Sequence, residues 1–258
     1  MNIAIITGAS SGLGREYARQ LDLAMENRAD EFWLVARRQE KLEALAEELI
    51  TPCRIFACDL TTDEAINALH GAMAAEHDLE IRWLICAAGF GRIGGYDELT
   101  PGTAAQMINL NCCAAVTLTQ AAIPFMSAGS HILEIASCAG FQPVPYLGLY
   151  AATKSLVLSY SRSLAYELAP QGISVTAVCP YWIRDTEFVG RAQQSHGRYF
   201  RHLPLATTAA SVVSRSLASA RLGRTTCTPD ALSLLDRILA ALLPDWLIMK
   251  ASRLLHLL

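Results

Sequence analysis

Thr7-Gly8-Ala9-Ser10-Ser11-Gly12-Leu13-Gly14 follows the apolar run Ile3-Ala4-Ile5-Ile6 and leads into a helical pattern over Gly12–Glu26. A short buried strand, a glycine-rich turn and a helix in direct succession are the opening of a βα unit. Glycine is needed there for steric reasons. Gly8 and Gly12 let the backbone turn tightly and approach a pyrophosphate, and Gly14 lets the helix lie close on the sheet. The helix N-terminus, with Ser10, Ser11 and Leu13 in the same turn, then offers free N–H groups and a partial positive charge to an anion. A glycine trio alone would be weak. Its place in the first βα turn is the context that favours dinucleotide binding over a tight turn without a ligand.

Outward from this turn the rhythm repeats. Strands are predicted at Phe32–Ala36, Arg54–Cys58, Arg82–Ala87, His131–Ala136 and Ile173–Val178. Helices are predicted at Gln39–Leu49, Thr62–Glu76, Thr103–Ser127 and Leu149–Leu168. Alternating β and α elements predict an α/β fold, a doubly wound, Rossmann-type parallel sheet with helices on both faces. The 258 residues show no linker, repeat or low-complexity segment, so residues 1–258 are read as a single dinucleotide-binding and catalytic domain. The rhythm breaks after Pro180. Residues 184–206 carry Arg184, Arg191, His196, Arg198, Arg201 and His202 with Tyr199 and Phe200 among them. That segment reads as a substrate lid or as an ordinary solvated basic helix. The apolar tail 242–258, with Lys250, Arg253 and His256 interspersed, reads as a terminal helix docked on the body or on another subunit; membrane-surface contact is the alternative.

Composition excludes several classes. Hydrophobic residues make up 52% and charged residues 17%, so the chain can bury a core and is not disordered. A net charge of −3 provides no field for nucleic acid. Eight cysteines form no C-x-x-C pair, which argues against zinc ribbons and thioredoxin-like chemistry and for no metal site. Reduced thiols fit a cytoplasmic protein. Met1–Thr7 lacks a basic n-region, and no run of about 18 apolar residues predicts a transmembrane helix.

The second predicted strand bears on cofactor choice. An NAD site places a carboxylate at its end for the ribose 2′-OH. This chain reads Leu34-Val35-Ala36-Arg37-Arg38. Two guanidiniums suit a 2′-phosphate, and Arg15 just after the glycine turn is a third candidate, so NADP(H) is expected over NAD. The plain alternative is that these arginines are merely exposed at element ends. Asp59-Leu60 after the third strand would face the adenine, or Asp59 would cap the next helix.

Tyr150-Ala151-Ala152-Thr153-Lys154 places a phenol and an ammonium on one helix face. Lysine is scarce here, the others being Lys41 and Lys250, and Ser137 lies thirteen residues before Tyr150 at a predicted strand end. Taken singly, Ser137 is a turn hydroxyl and Tyr150 a half-buried aromatic. Taken with the glycine turn, they make a catalytic set.

In that order and spacing, the Thr7–Gly14 turn, Asp59, Asn111, Ser137, Tyr150-x-x-x-Lys154 and Pro180 resemble the short-chain dehydrogenases/reductases over nearly the whole chain. The resemblance implies that Tyr150 is the general acid in ketone reduction and the base in alcohol oxidation. It implies that Lys154 stabilises the phenolate and holds the nicotinamide ribose, that Ser137 polarises the substrate oxygen, and that Asn111 holds a water relaying protons to the lysine. It places Ala88, Gly89, Pro180 and Ile183 beside the cofactor, and it implies a homodimer or homotetramer through the Thr103–Ser127 and Leu149–Leu168 helices. The sequence departs from the family at Cys86-Ala87, where asparagines are usual, at Tyr181, where glycine is usual, and at Thr186, displaced by one residue. The stiff apolar stretch Cys138–Leu149 suits a hydrophobic carbonyl or alcohol substrate, steroid-like or fatty. An intact Ser137, Tyr150 and Lys154 set argues against a dinucleotide sensor without catalysis. The 78 residues after Pro180 argue against the longer C-terminal substrate domain expected of an epimerase or dehydratase.

Overall fold

The computed structural model describes residues 1–24, 29–192 and 205–257. Among the described residues, seven parallel strands form one sheet in the order β3-β2-β1-β4-β5-β6-β7. They are β1 Asn2–Thr7, β2 Glu31–Ala36, β3 Cys53–Ala57, β4 Glu80–Cys86, β5 His131–Ile135, β6 Ser174–Val178 and β7 Thr226–Cys227. Successive side chains alternate between two buried faces, which is why the strands read as unbroken apolar runs. In β1, Ile3 and Ile5 join one core layer and Ala4 and Ile6 the other.

The first layer packs under α3 (Asp63–Ala75), α5 (Ala115–Ala122) and α6 (Gly148–Leu168), through Leu69, Met73, Leu118, Leu164 and Leu168. The second packs under α1 (Gly12–Asp22), α2 (Gln39–Glu48) and α8 (Ala209–Arg221), through Tyr17, Leu21, Leu42, Leu45, Val212 and Leu217. This is the doubly wound arrangement expected from the sequence. The chain leaves β1 for one face and β4 for the other, so the crevice at their carboxyl ends is the place for a ligand.

Three sequence expectations are corrected. The Thr103–Ser127 helix is α4 (Pro101–Ile108), a π-helical turn over Asn109–Ala114, α5 and a 3-10 turn over Ile123–Phe125. Pro101–Phe125 has the length and mean hydropathy of a membrane span, but Met107, Leu118 and Ala122 are buried against the body. The βα rhythm does not stop at Pro180: α8 and the two-residue β7 continue it. The first helix ends at Asp22, and the predicted end at Glu26 lies outside the described residues. α9 (Ala231–Leu242) precedes the tail, which forms α10 (Asp245–Leu257); Leu234, Leu235, Ile238 and Leu242 are exposed on α9 and Trp246 on α10.

One buried acid marks the sheet. Glu134 of β5 pairs in register with Cys86 of β4 and is fully buried. Its Oε1 accepts a 2.6 Å hydrogen bond from Thr119 of α5, while Oε2 has no hydrogen-bond partner among the described residues. Burial pushes this carboxyl up to about 7, against the pull of Thr119, Cys86 and Lys154. A carboxyl that holds its proton more tightly folded than unfolded stabilises the fold at low pH and loses that contribution as pH rises from about 4.5 to 7. The wild type should therefore lose about 2 kcal/mol of this contribution between pH 5.5 and 8. Urea unfolding of Glu134→Gln should lack that loss; identical pH slopes for the two proteins would refute the assignment.

Candidate active site

A cavity of about 760 Å³ opens at the carboxyl ends of the strands. Gly8, Ser10, Ser11, Gly12, Leu13, Arg37, Arg38, Asp59, Leu60, Ala88, Gly89, Ser137, Tyr150, Lys154, Pro180 and Ile183 line it; Gly14, Arg15 and Asn111 do not. Arg15 is exposed on α1. Gly14 packs beneath the turn, where a Cβ would collide with the carbonyl of Gly8.

The floor of the cavity is the crossing of two chains. Gly8 adopts φ +68°, and a Cβ there would sit 2.8 Å from the Ala87 carbonyl oxygen. Thr7 ties the two strand ends together: its Oγ1 accepts from Ala88 N at 3.0 Å and donates to Ile85 O at 3.3 Å. That hydroxyl supplies a link here, although Cys86-Ala87 lacks the usual asparagines. Side chains of Thr62, Thr100, Thr208 and Asp230 cap the N-termini of α3, α4, α8 and α9, whereas Ser11 at the start of α1 makes no such bond. The first amides of α1 are left for an external acceptor, as a bound phosphate requires. The cradle fits a dinucleotide.

The two arginines after β2 differ. The Arg38 guanidinium donates to Ser10 Oγ at 3.0 and 3.3 Å from Nη2 and Nε. Arg37 is largely exposed and lies 3.8 Å from Asp59. Asp59 itself accepts from the backbone N–H and the hydroxyl of Thr61, at 3.0 and 2.8 Å, which with Arg37 keeps its carboxyl below the usual range despite some burial. It therefore closes a turn as well as lining the cavity.

At the other end stand Ser137, Tyr150 and Lys154, all buried. Ser137, just past β5, accepts from Ala139 N at 3.2 Å. Lys154 Nζ donates to Ile135 O at 2.6 Å and lies 5.6 Å from the centre of the Tyr150 ring. Burial pushes the Tyr150 phenol well above its ordinary value, and the Ser137 hydroxyl pulls the other way. Burial also pushes Lys154 down to about 8, opposed by Cys112 and Glu134. Asn111, in the π-helical turn, spends its side chain on structure. Its Oδ1 accepts from Phe90 N at 3.0 Å, and its Nδ2 donates to Phe90 O and Thr153 Oγ1 at 2.9 and 3.1 Å.

Around Ser137 and Tyr150 the walls are Val144, Leu147, Trp182, Phe188, Leu239 and Ile248, with Cys138, Gln142, Tyr181 and Asp236 as the polar exceptions. Phe188 opens the short helix α7 (Phe188–Ala192) and lies 5.4 Å from the Tyr150 ring. Thr186 sits over Gly12. Sequence reading named none of Trp182, Phe188, Asp236, Leu239 and Ile248, although Phe188 falls in the expected lid 184–206 and Ile248 in the tail 242–258. Of the proposed lid, residues 193–204, with His196, Arg198, Tyr199, Phe200, Arg201 and His202, lie outside the described residues.

Comparison with known proteins gives a consistent result. Residues 2–197 match the short chain dehydrogenase family. A very-long-chain 3-oxoacyl-CoA reductase of Podospora anserina is 34% identical over 191 residues, covering 70% of this chain but only 54% of that protein. A short-chain dehydrogenase from Sphingobium yanoikuyae in complex with NADPH superposes with a TM-score of 0.78 at 29% identity, over 93% of both chains. A bulky-bulky ketone specific alcohol dehydrogenase from Comamonas testosteroni does so at 0.72 and 26%, over 95% of this chain and 96% of that one.

Gly8→Ala should cost about 2–4 kcal/mol, from the left-handed backbone and the clash with Ala87. Gly71→Ala, at an exposed helical position where a Cβ meets nothing within 4 Å, should be neutral or stabilising. Equal unfolding midpoints for the two variants would refute the crossing as the constraint.

Proposed function

The chain belongs to the short-chain dehydrogenase family, and on that premise we propose that it is an NADP(H)-dependent oxidoreductase interconverting a carbonyl and a secondary alcohol on an apolar small molecule. The observation that carries the reading is one cavity with the uncapped glycine turn and Arg38 at one end and Ser137, Tyr150 and Lys154 at the other. Neighbours solved with NADPH and acting on ketones support it.

When bound, the dinucleotide supplies or accepts hydride at the substrate carbon. The amides of the Gly8–Gly14 turn would hold its pyrophosphate, and Ser10 with Arg38 the 2′-phosphate. Lys154 would hold the nicotinamide ribose, with Pro180 and Ile183 beside the ring. Tyr150 keeps its proton at neutral pH because it is buried, so it is ready to donate to a carbonyl oxygen. Ser137 donates a hydrogen bond to the same oxygen as negative charge develops there. The Lys154 ammonium stabilises the phenolate that Tyr150 leaves behind. The apolar walls and the 3-oxoacyl-CoA reductase relatives favour a fatty or otherwise bulky ketone. We place the enzyme in the cytoplasm, where its free thiols stay reduced, as a homodimer or homotetramer. Ile108, Leu156 and Tyr166, exposed on α4 and α6, favour such pairing.

A second reading is a lipid ketone reductase at a membrane surface, favoured by the exposed apolar face of α9 and α10. Co-sedimentation with phospholipid vesicles, lost in Leu242→Ser/Trp246→Ser, would support it; sedimentation equal in the two proteins would refute it.

Binding titrations should show NADPH preferred over NADH, with Arg38→Ala removing about 1–3 kcal/mol of that preference and Arg37→Ala less than half as much. Equal affinity for the two cofactors in the wild type would overturn the NADP assignment. With a bulky aliphatic ketone, Tyr150→Phe should lower kcat by about 10²–10⁴ while NADPH still binds. Reduction should fade as pH rises through about 8, where Lys154 loses its charge. A Tyr150→Phe variant at wild-type rate would refute the mechanism.

A further inference from the structure

Arg38, Lys41 and Arg191 converge on a single carboxylate, Glu187, immediately before α7. Arg38 Nη1 lies 3.0 Å from Glu187 Oε2, Lys41 Nζ 2.9 Å from Oε1, and Arg191 Nη2 2.5 Å from Oε2. Arg38 thus has two edges in use. Its Nε and Nη2 face Ser10 of the glycine turn, and its Nη1 faces Glu187. The neighbouring cation, Arg37, is turned to Asp59 instead. A phosphate arriving between Ser10 and Arg38 would meet a carboxylate already bonded to the same guanidinium. Two anions on one guanidinium repel, so one must give way.

We propose that Glu187 is a resident counter-ion of the 2′-phosphate subsite and a determinant of cofactor specificity. NADP(H) displaces its carboxylate from Arg38 and Lys41, making Lys41 a further phosphate ligand, whereas NAD(H) leaves the ion pairs in place. The inference rests on the NADP(H) reading above. The exchange is energetically open because Glu187, Arg38 and Lys41 are all partly exposed, and ion pairs of that kind are individually weak. A phosphate brings more charge and more acceptor oxygens than a carboxylate. Arg191, four residues on, remains to hold the displaced Glu187.

The test uses 2′,5′-ADP and 5′-AMP, which differ only in the 2′-phosphate, titrated calorimetrically into the wild type, Glu187→Gln and Lys41→Gln. Glu187→Gln should tighten 2′,5′-ADP by about three- to tenfold and leave 5′-AMP within about twofold. Lys41→Gln should weaken 2′,5′-ADP by a similar factor and spare 5′-AMP. If the wild type prefers 2′,5′-ADP but Glu187→Gln leaves it unchanged or weakens it, the inference falls and the cofactor reading stands. If Lys41→Gln leaves 2′,5′-ADP unchanged, Lys41 is no ligand and that part falls, whatever the folding of the first variant. If the wild type does not distinguish the two nucleotides, the cofactor reading fails and takes the inference with it.

Discussion

The approach of the Gly8 backbone to the Ala87 carbonyl is the contact on which the rest of the site depends. β1 and β4 are neighbours, yet their chains depart to opposite faces of the sheet. The crevice between them can be deep only if the two backbones cross in van der Waals contact, which excludes any side chain at Gly8. Thr7 locks the crossing from below with its two hydrogen bonds. The amides of α1 and the small residues Ala88 and Gly89 then face one another across a gap shaped for an extended, charged ligand.

The opposite end of the cavity is governed by desolvation. Tyr150 and Lys154 are both buried, and each is driven toward its neutral form. Glu134 lies beneath them in β5, also buried and half-satisfied. Apolar side chains in these places would make a more stable protein. Such groups are held where a reaction needs them by the rigidity around them: the Ile135 carbonyl fixes Lys154, and Asn111 joins the Phe90 loop to α6. Activity here is drawn against stability in a small number of identifiable residues.

What could be read from the sequence is what local chemistry determines. The Thr7–Gly14 turn and the i, i+4 relation of Tyr150 to Lys154 are short-range facts, and buried parallel strands announce themselves as apolar runs. The two-residue β7 carries too little pattern to be seen, and the edge role of Thr226–Cys227 is set by β6 rather than by its own composition. The inequality of Arg37 and Arg38 was equally hidden, because Ser10 and Glu187 decide it from 28 and 149 residues away in the chain. Phe188 and Ile248 reach the cavity through tertiary packing alone. The shift of Tyr150 depends on burial, which no spacing encodes.

The π-helical turn over Asn109–Ala114 amounts to one residue more than a regular helix would need. Removing a single residue from it would let the helix run on without interruption, and by local propensity the shortened chain would be the better helix. Everything beyond the cut would swing by about 100° around the axis, because each residue turns the spiral by that much. Either Asn111 would leave Phe90 and Thr153, or Leu118 and Thr119 would leave the sheet. The length of this segment, counted in whole residues, is thus as strict a determinant as the identity of any side chain in it, and relatives should tolerate substitution here far more readily than deletion.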